Sequence, residues 1–408
     1  MTAALPEIEL QAAKHSFRRR VFYIPGYDPI HPRRYRELYR SEGRDQAKIS
    51  GYQLNLTPKK TKGPYGWHVT GLVDGLTCET DFEVLVWSDI VKTSMAQGIF
   101  ATYVQLVRTA AAYIGSGALF RLMQLRKGPM IAALYPIFAL LAQLVVAVLA
   151  GWGAGRLGAL LHPLLGWMAG AALAVLILRL FRRHDNKLFA YYLMHDYAYS
   201  AQSKGANPPD LEVRLFEFGK AIHLALTENV DEVLVVGHSS GAHLAVSILS
   251  DLIRAGLPSP RPALAFLSLG QVVPMVSFLP EAKRLRADLH FLATCDALTW
   301  IDVTAPGDGC AFALCDPVAV TGVAPEGQIW PLVISAAFTQ TLSPERWKQL
   351  RWRFFRLHFQ YLCAFDRPGD YDYFRITAAA QTLATRYAGR PASKSRITCA
   401  LSRYRSMA

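Results

Sequence analysis

Cysteine is sparse in this chain and nowhere arranged in pairs. The six cysteines, at positions 78, 295, 310, 315, 363 and 399, show no Cys-x-x-Cys spacing. That argues against a disulfide framework and suits a reducing compartment. The spacing of Cys310 and Cys315 is a poor metal signal. There is no zinc-type His/Glu motif, no phosphate-cradling glycine loop and no internal repeat. Neither a metal nor a cofactor is expected.

Acidic residues are in deficit. Asp and Glu total 31 against 44 Lys and Arg, a formal charge of +13. Much of the excess lies near the N-terminus, at Arg18-Arg19-Arg20, Arg33-Arg34, Arg36, Arg40, Arg44 and Lys59-Lys60. These residues form no nucleic-acid reading motif, and no aromatic-interleaved repeat accompanies them, so nucleic acid is not the expected partner. Anionic lipid headgroups are the natural alternative. Met1 to Lys14 carries Glu7 and Glu9 and lacks an apolar core, so it is not read as a secretory signal.

In one region charge itself is missing. Pro129 to Ala150 has no charged residue, and Gln143 is its most polar member. As a helix rising about 1.5 Å per residue it would reach roughly 33 Å, enough for a bilayer core. Gly151-Trp152-Gly153-Ala154-Gly155-Arg156 reads as a glycine-rich break. Leu157 to Leu178 then reads as a second span, in which His162, Pro163 and the glycines are tolerated. Arg121, Arg126 and Lys127 precede this pair and Arg179, Arg182, Arg183 and Lys187 follow it, whereas the break carries only Arg156. The positive-inside rule puts both ends in the cytoplasm and the connection outside, as expected for an integral protein of an inner or plasma membrane. Ile99-Phe100, Tyr103-Val104 and Val107 have helical spacing. They read equally well as a helix on the cytoplasmic leaflet or as a helix of the core.

The most informative segment is Val233-Leu234-Val235-Val236-Gly237-His238-Ser239-Ser240-Gly241-Ala242-His243. A short apolar run ends in Gly-x-Ser-x-Gly, and an amphipathic run, Leu244 to Ile253, follows at once. This is the strand, sharp turn and helix of a nucleophile elbow, which lifts the serine hydroxyl out of a sheet. A chain of this length contains the pentapeptide by chance roughly 0.1 times, so its setting carries the weight. His238 and His243 bracket the serine at a spacing that turn and helix packing explains more simply than metal binding.

On these residues the chain resembles the α/β-hydrolase superfamily, over most of its length outside the apolar insertion. The resemblance implies a mostly parallel sheet flanked by helices, and triad partners in the order Ser, acid, His. Ser239 is then the nucleophile. Only His290 and His358 lie beyond the elbow helix. His290 precedes the best acid candidate, so His358 fits the order. Trp352 to His358 reads as a last strand with His358 at its end, and Asp370 to Tyr387 as a final helix. Leu298 to Thr304 reads as a strand and Ala305-Pro306-Gly307-Asp308-Gly309 as the loop after it. The family's acids sit in such a loop, which favours Asp308. Asp302, within the strand, and Asp316, which suits a turn cap, stay open. The resemblance also implies two backbone donors for an oxyanion. One is the Ser240 amide. The other is the Tyr27 amide, in the loop Pro25-Gly26-Tyr27-Asp28-Pro29 after the strand Arg20 to Ile24, with Gly26 and His238 against the substrate.

The remaining elements follow in order. Residues 31–42 read as a basic helix and 51–87 as β-rich, with a hairpin at Asp74-Gly75. Residues 89–127 read as helical, Leu211 to Thr227 as the helix before the elbow, Ala263 to Leu269 as a strand and Pro280 to Leu289 as a helix. Residues 1–127 and 184–388 are expected to form two parts of one α/β-hydrolase-type domain. Residues 128–183 are the inserted hairpin, and 389–408 a basic tail that is disordered or lies on the membrane. The expected function is a membrane-anchored serine hydrolase cleaving an ester or thioester with a lipid chain. An acyltransferase using the same acyl-enzyme and a non-catalytic membrane scaffold are the alternatives.

Overall fold

Val21 and Tyr23 point to one side of a strand, Phe22 and Ile24 to the other, and all four are buried. That pattern belongs to a strand covered on both faces, as parallel sheets require. The computed structural model describes residues 16–59 and 63–408. The N-terminal segment Met1 to Lys14 and Lys60 lie outside the described residues.

The strands are β1 (Phe17–Ile24), β2 (Gln53–Pro58), β3 (Gly66–Val73), β4 (Leu76–Val84), β5 (Glu232–His238), β6 (Ala263–Leu269), β7 (Thr299–Thr304) and β8 (Leu332–Ser335). They form one 8-stranded sheet in the order β2-β3-β4-β1-β5-β6-β7-β8. Every pairing from β4 to β8 is parallel, and only β3 runs against the rest. The chain therefore crosses from β1 to the edge at β2, steps back through β3 and β4 to lie beside β1, and then winds outward from β5 to β8 at the other edge. β1 and β5 flank the point where the order reverses, which is where open α/β sheets bind ligands. Asp74 and Gly75, both at positive φ, close the β3–β4 hairpin.

Helices α1 (Arg33–Ser50), α2 (Ser88–Met95), α3 (Ile99–Gly115) and α4 (Ala118–Leu125) precede two long apolar ones, α5 (Lys127–Ala159) and α6 (Pro163–Arg183). Next come α7 (Asp185–Leu188), α8 (Ala190–Gln202), α9 (Pro209–Ala225), α10 (Gly241–Arg254), α11 (Val273–Ser277), α12 (Lys283–Ala293) and α13 (Pro317–Thr321). The last are α14 (Phe338–Thr341), α15 (Pro344–Leu350), α16 (Phe354–His358), α17 (Tyr373–Ala378) and α18 (Leu383–Arg386). Two clusters of buried side chains cover the sheet. One lies against α1 and the C-terminal helices, the other against α9, α10 and α12.

Helices α5 and α6 pack side by side between β4 and β5 in chain order, and both are long and apolar enough to cross a membrane. The first half of α5 rests on the domain through Met130, Pro136, Leu140 and Gln143. The second half packs on α6 and leaves Val145, Val148, Leu149, Trp152 and Leu157 exposed, as α6 leaves Leu164, Trp167, Met168 and Leu176. The glycine-rich stretch is not a break. Gly151 and Gly155 lie inside α5, and the chain turns at Leu160 to His162 instead. Those glycines are points of approach between helices. A Cβ on Gly151 would come 2.7 Å from the Gly170 carbonyl oxygen, and one on Gly158 would come 3.0 Å from Gly166 Cα. Small residues four apart on each helix are a common way for apolar helices to pack closely. On α3, Leu106 and Tyr113 are buried while Phe100, Val107 and Ile114 are exposed, so the helix has a core face and an apolar outer face.

The C-terminal half differs from expectation in three places. Trp352 to His358 is not a strand: α15 ends at Leu350, and α16 carries Phe354 to His358. The last strand is β8, whose Leu332 to Ser335 pairs with β7. Asp370 to Tyr387 forms two short helices, α17 and α18, rather than one. The tail beyond Gly389 is ordered, because its backbone finds partners. Ser393 donates to the Val333 carbonyl, Ile397 pairs with Leu314 and Asp316, and Leu401 donates to the Val320 carbonyl. The buried Arg286 guanidinium holds it further, donating to Ser406 O and to the Ser277, Leu279 and Pro280 carbonyls.

Candidate active site

The residues singled out in the sequence converge just beyond the carboxyl ends of β1, β5, β6 and β7. Ser239 follows β5 in the left-handed region, at φ 57°. For a residue with a side chain this conformation costs of order 1–3 kcal/mol and persists only where its surroundings enforce it. The two motif glycines are part of that enforcement. A Cβ on Gly237 would lie 2.7 Å from the Gly241 carbonyl oxygen, and one on Gly241 would overlap the Ile24 carbonyl oxygen outright. The elbow is thus wedged against the end of β1, and the Ser239 amide donates to Leu269 O at the end of β6.

His358 ends α16. Its Nδ1 lies 2.7 Å from Asp308 Oδ2, and both side chains are buried. Asp308 stands in the loop after β7. It also accepts from the Tyr361 hydroxyl at 3.0 Å and, through Oδ1, from the Cys310 amide at 2.9 Å. Burial alone would raise the Asp308 pKa. The charge of His358 and these three hydrogen bonds outweigh it and hold the carboxyl below its usual value. The other imidazole nitrogen, Nε2, is buried and has no hydrogen-bond partner among the described residues. Ser239 is accordingly not hydrogen-bonded to it in this structure. Contacts of this kind commonly tighten only when substrate arrives.

Asp302 and Asp316 are engaged elsewhere. Asp302 is buried inside β7 and accepts from Ser268 Oγ at 2.6 Å, on the neighbouring strand. Burial pushes its pKa up to about 8. Asp316 caps α13, accepting from the Val318 and Ala319 amides. Of the three acids, only Asp308 reaches His358.

The loop after β1 is fixed from several directions. Trp87 Nε1 donates to Pro25 O at 3.0 Å, and the Tyr192 hydroxyl donates to Tyr27 O. The Tyr27 ring is buried, and its amide faces the elbow, donating a long hydrogen bond of 3.4 Å to Ser240 Oγ. A Cβ on Gly26 would come 3.0 Å from Ser239 Cβ and 3.4 Å from its Oγ, so only a glycine keeps the serine uncovered here. The Ser240 amide opens α10, where a helix leaves its first N–H groups free. His238 is buried, with its ring 4.8 Å from that of His358 and its Nε2 3.0 Å from the His358 carbonyl oxygen. Burial lowers its pKa to about 3, with a further push from His358, so it remains neutral. Its hydrogen bond to the His358 carbonyl braces the histidine turn.

Three further groups join the site that the sequence did not assign to it. Tyr361 steadies Asp308. Cys310 brings its thiol close, so that its sulfur, an Asp308 oxygen and a His358 nitrogen lie within 4.8 Å of one another. Both Asp308 oxygens are already taken by hydrogen bonds. Asp196, on α8 one turn after Tyr192, has no ion-pair partner among the described residues. Burial raises its pKa to about 7, and the charge of His358 pulls it back.

The feet of the α5–α6 pair reach this site. A Cβ on Gly128, in the first turn of α5, would lie 3.1 Å from Gly309 Cα, next to Asp308. Arg126 Nε donates to Ala313 O at 2.7 Å. On the exit side, Phe189 and Tyr192 pack on Phe355 of α16 at 4.8 and 5.8 Å between ring centroids. The chain matches no protein-family model, no curated protein and no solved structure.

Proposed function

We propose that the chain is a membrane-anchored serine hydrolase of the α/β-hydrolase type, acting on a carboxylic ester or thioester with a lipid chain. The observation that carries this reading is the pairing of a strained serine on a strand-to-helix turn with a buried His358–Asp308 couple at 2.7 Å, beyond the carboxyl ends of the parallel strands β5 and β7.

In this mechanism Ser239 Oγ attacks the carbonyl carbon and His358 Nε2 takes its proton. Asp308 holds the tautomer with hydrogen on Nδ1 and stabilises the imidazolium. The Tyr27 and Ser240 amides receive the oxyanion. As the tetrahedral species collapses, the proton passes to the leaving alcohol or thiol. Water, deprotonated by the same imidazole, then releases the acid from Ser239. The lipid substrate is supported by the position of the site at the feet of two apolar helices, and by the apolar outer face of α3. Both helix ends carry arginines, in keeping with a cytoplasmic domain bound to anionic headgroups.

The test is labelling of the purified full chain with a fluorophosphonate. Wild type is expected to label at Ser239, and Ser239→Ala not at all, with an unchanged melting curve. Undiminished labelling of the Ser239→Ala variant would overturn the assignment.

A further inference from the structure

We infer that the segment Arg351–Arg356 is an interfacial loop that seats the opening of the site on an anionic bilayer surface. The inference rests on the membrane-anchored reading above and adds a second contact to it.

The segment reads Arg351-Trp352-Arg353-Phe354-Phe355-Arg356, between α15 and the end of α16. Trp352 is 72% exposed and Phe354 46%, which is unusual for side chains with this much apolar surface. Arg351, Arg353 and Arg356 are exposed and have no carboxylate partner among the described residues. Arg351 lies over the Trp352 ring, 5.6 Å from its centroid. Exposed tryptophan and phenylalanine between unpaired arginines match the chemistry of the headgroup layer. There an indole sits at the boundary and guanidinium groups meet phosphates.

Its place in the fold gives the loop a partner. The Phe354 ring covers Gly309, where a Cβ would come within 3.1 Å of it, and Gly309 in turn backs onto Gly128 at the start of α5. Phe355 packs on Phe189, just beyond α6 and α7. The loop therefore lies one contact away from each foot of the apolar pair, through Gly309 on one side and Phe189 on the other, and Arg126, Lys127, Arg182 and Arg183 flank those feet in sequence. Beside the same foot of α6, Ile99, Val175, Arg179, Arg182 and Arg183 line an open recess of about 650 Å³, so unpaired positive charge continues around the base. A bilayer crossed by α5 and α6 would meet this loop at its surface. Because His358 follows Arg356 by two residues, the seated loop would face the site toward the layer that holds its substrate.

The experiment is hydrogen–deuterium exchange on the full chain in three settings: detergent, nanodiscs of phosphatidylcholine alone, and nanodiscs containing phosphatidylglycerol. Peptides spanning 349–358 should be protected most in the anionic discs. An arginine near an anionic surface favours the seated state about fivefold. Replacing Arg351, Arg353 and Arg356 by glutamine should therefore erase most of that protection, and Trp352→Ala should weaken it in both kinds of disc. Equal exchange of these peptides in detergent and in anionic discs, with Ile131 to Leu149 of α5 protected, would overturn the loop while leaving the anchor standing. Exchange-exposed α5 peptides in discs would instead remove the anchor, and the loop with it. Neither outcome depends on catalytic activity.

Discussion

At the end of β5 and along α5, glycines let two backbones touch, with different consequences. Gly237 and Gly241 allow the elbow to be driven against β1, and the result is a serine held at positive φ. Gly151, Gly155 and Gly158 allow α5 to lie on α6, and every residue there keeps ordinary helical geometry. In the first case close approach stores strain that the surrounding sheet must hold. In the second it supplies contact to two helices that have little else to pack on. The same residue type thus marks a strained turn in one region and adhesion in the other. What separates them is whether the neighbouring backbone can yield.

The sharpest way to break this comparison is to remove what the elbow serves. Asp308→Asn keeps the shape but disturbs the imidazole tautomer, and turnover of a short soluble ester should fall roughly 10⁴-fold. Asp302→Asn, in β7 itself, the strand that leads into the Asp308 loop, should leave turnover within a few-fold. An equal loss in both variants would mean that strand geometry, and not the His358 contact, governs activity.

Alanine substitution then probes the glycines directly. Gly241→Ala places a methyl on the Ile24 carbonyl oxygen and should cost more than about 3 kcal/mol in unfolding. Gly155→Ala puts its methyl 3.3 Å from the Gly166 carbonyl oxygen, between helices free to shift, and should cost less than about 1 kcal/mol. Chemical denaturation in detergent compares them, and similar losses would erase the distinction drawn above.

A smaller effect is expected from shortening the helical pair. Replacing residues 145–177 by a short linker leaves Gly128 on Gly309 and the first half of α5 on the domain. Soluble-ester turnover should stay within about twofold, while retention by membranes weakens. Replacing the whole of 127–183 also removes the support of the acid loop, and turnover should fall. If the longer deletion is as active as the shorter, the feet of the pair are not part of the site.

The last effect is one of pH. The folded-state pKa of Asp302, about 8, lies above its unfolded value, so the folded protein binds the extra proton. The stability this contributes is complete below the ordinary carboxyl range and is lost as pH rises toward 8. Asp302→Asn lacks that loss. Its melting temperature relative to wild type should rise from pH 5 to about 8 and then level off. A constant difference would mean that Asp302 is ionised in the fold.

Much of this arrangement was legible in the residues. The short apolar run Val233 to Val236 with the Gly-x-Ser-x-Gly spacing located the elbow, because a glycine pair around a serine has a steric reason to be there. Asp74-Gly75 located its hairpin in the same way. The segment before His358 misled because Trp352 to Leu357 is rich in aromatic and apolar bulk broken by arginines, a composition that suits a strand as well as a short helix. In the fold those side chains divide between Gly309, α8 and solvent. The glycines of α5 misled because packing and breaking draw on the same residue. The ordered tail depended on backbone partners around Leu314 and Val320 that no local pattern records. Tyr361 and Asp196 were invisible for a similar reason: each acts across a long sequence separation. Asp196 nevertheless left one trace, a carboxylate within the aromatic run Tyr191 to Tyr199.

The strand order also sets a timetable for synthesis. β1 is flanked by β4 and β5, and β5 emerges from the ribosome about 200 residues after β1, with α5 and α6 made in between. At roughly 5–20 residues per second the nascent chain spends about 10–40 seconds with one edge of β1 unpaired. Through that interval the first four strands wait with an open edge that invites mispairing. Two apolar helices entering the bilayer in the meantime would hold the unfinished sheet at a surface, away from other nascent chains, until its second half arrives.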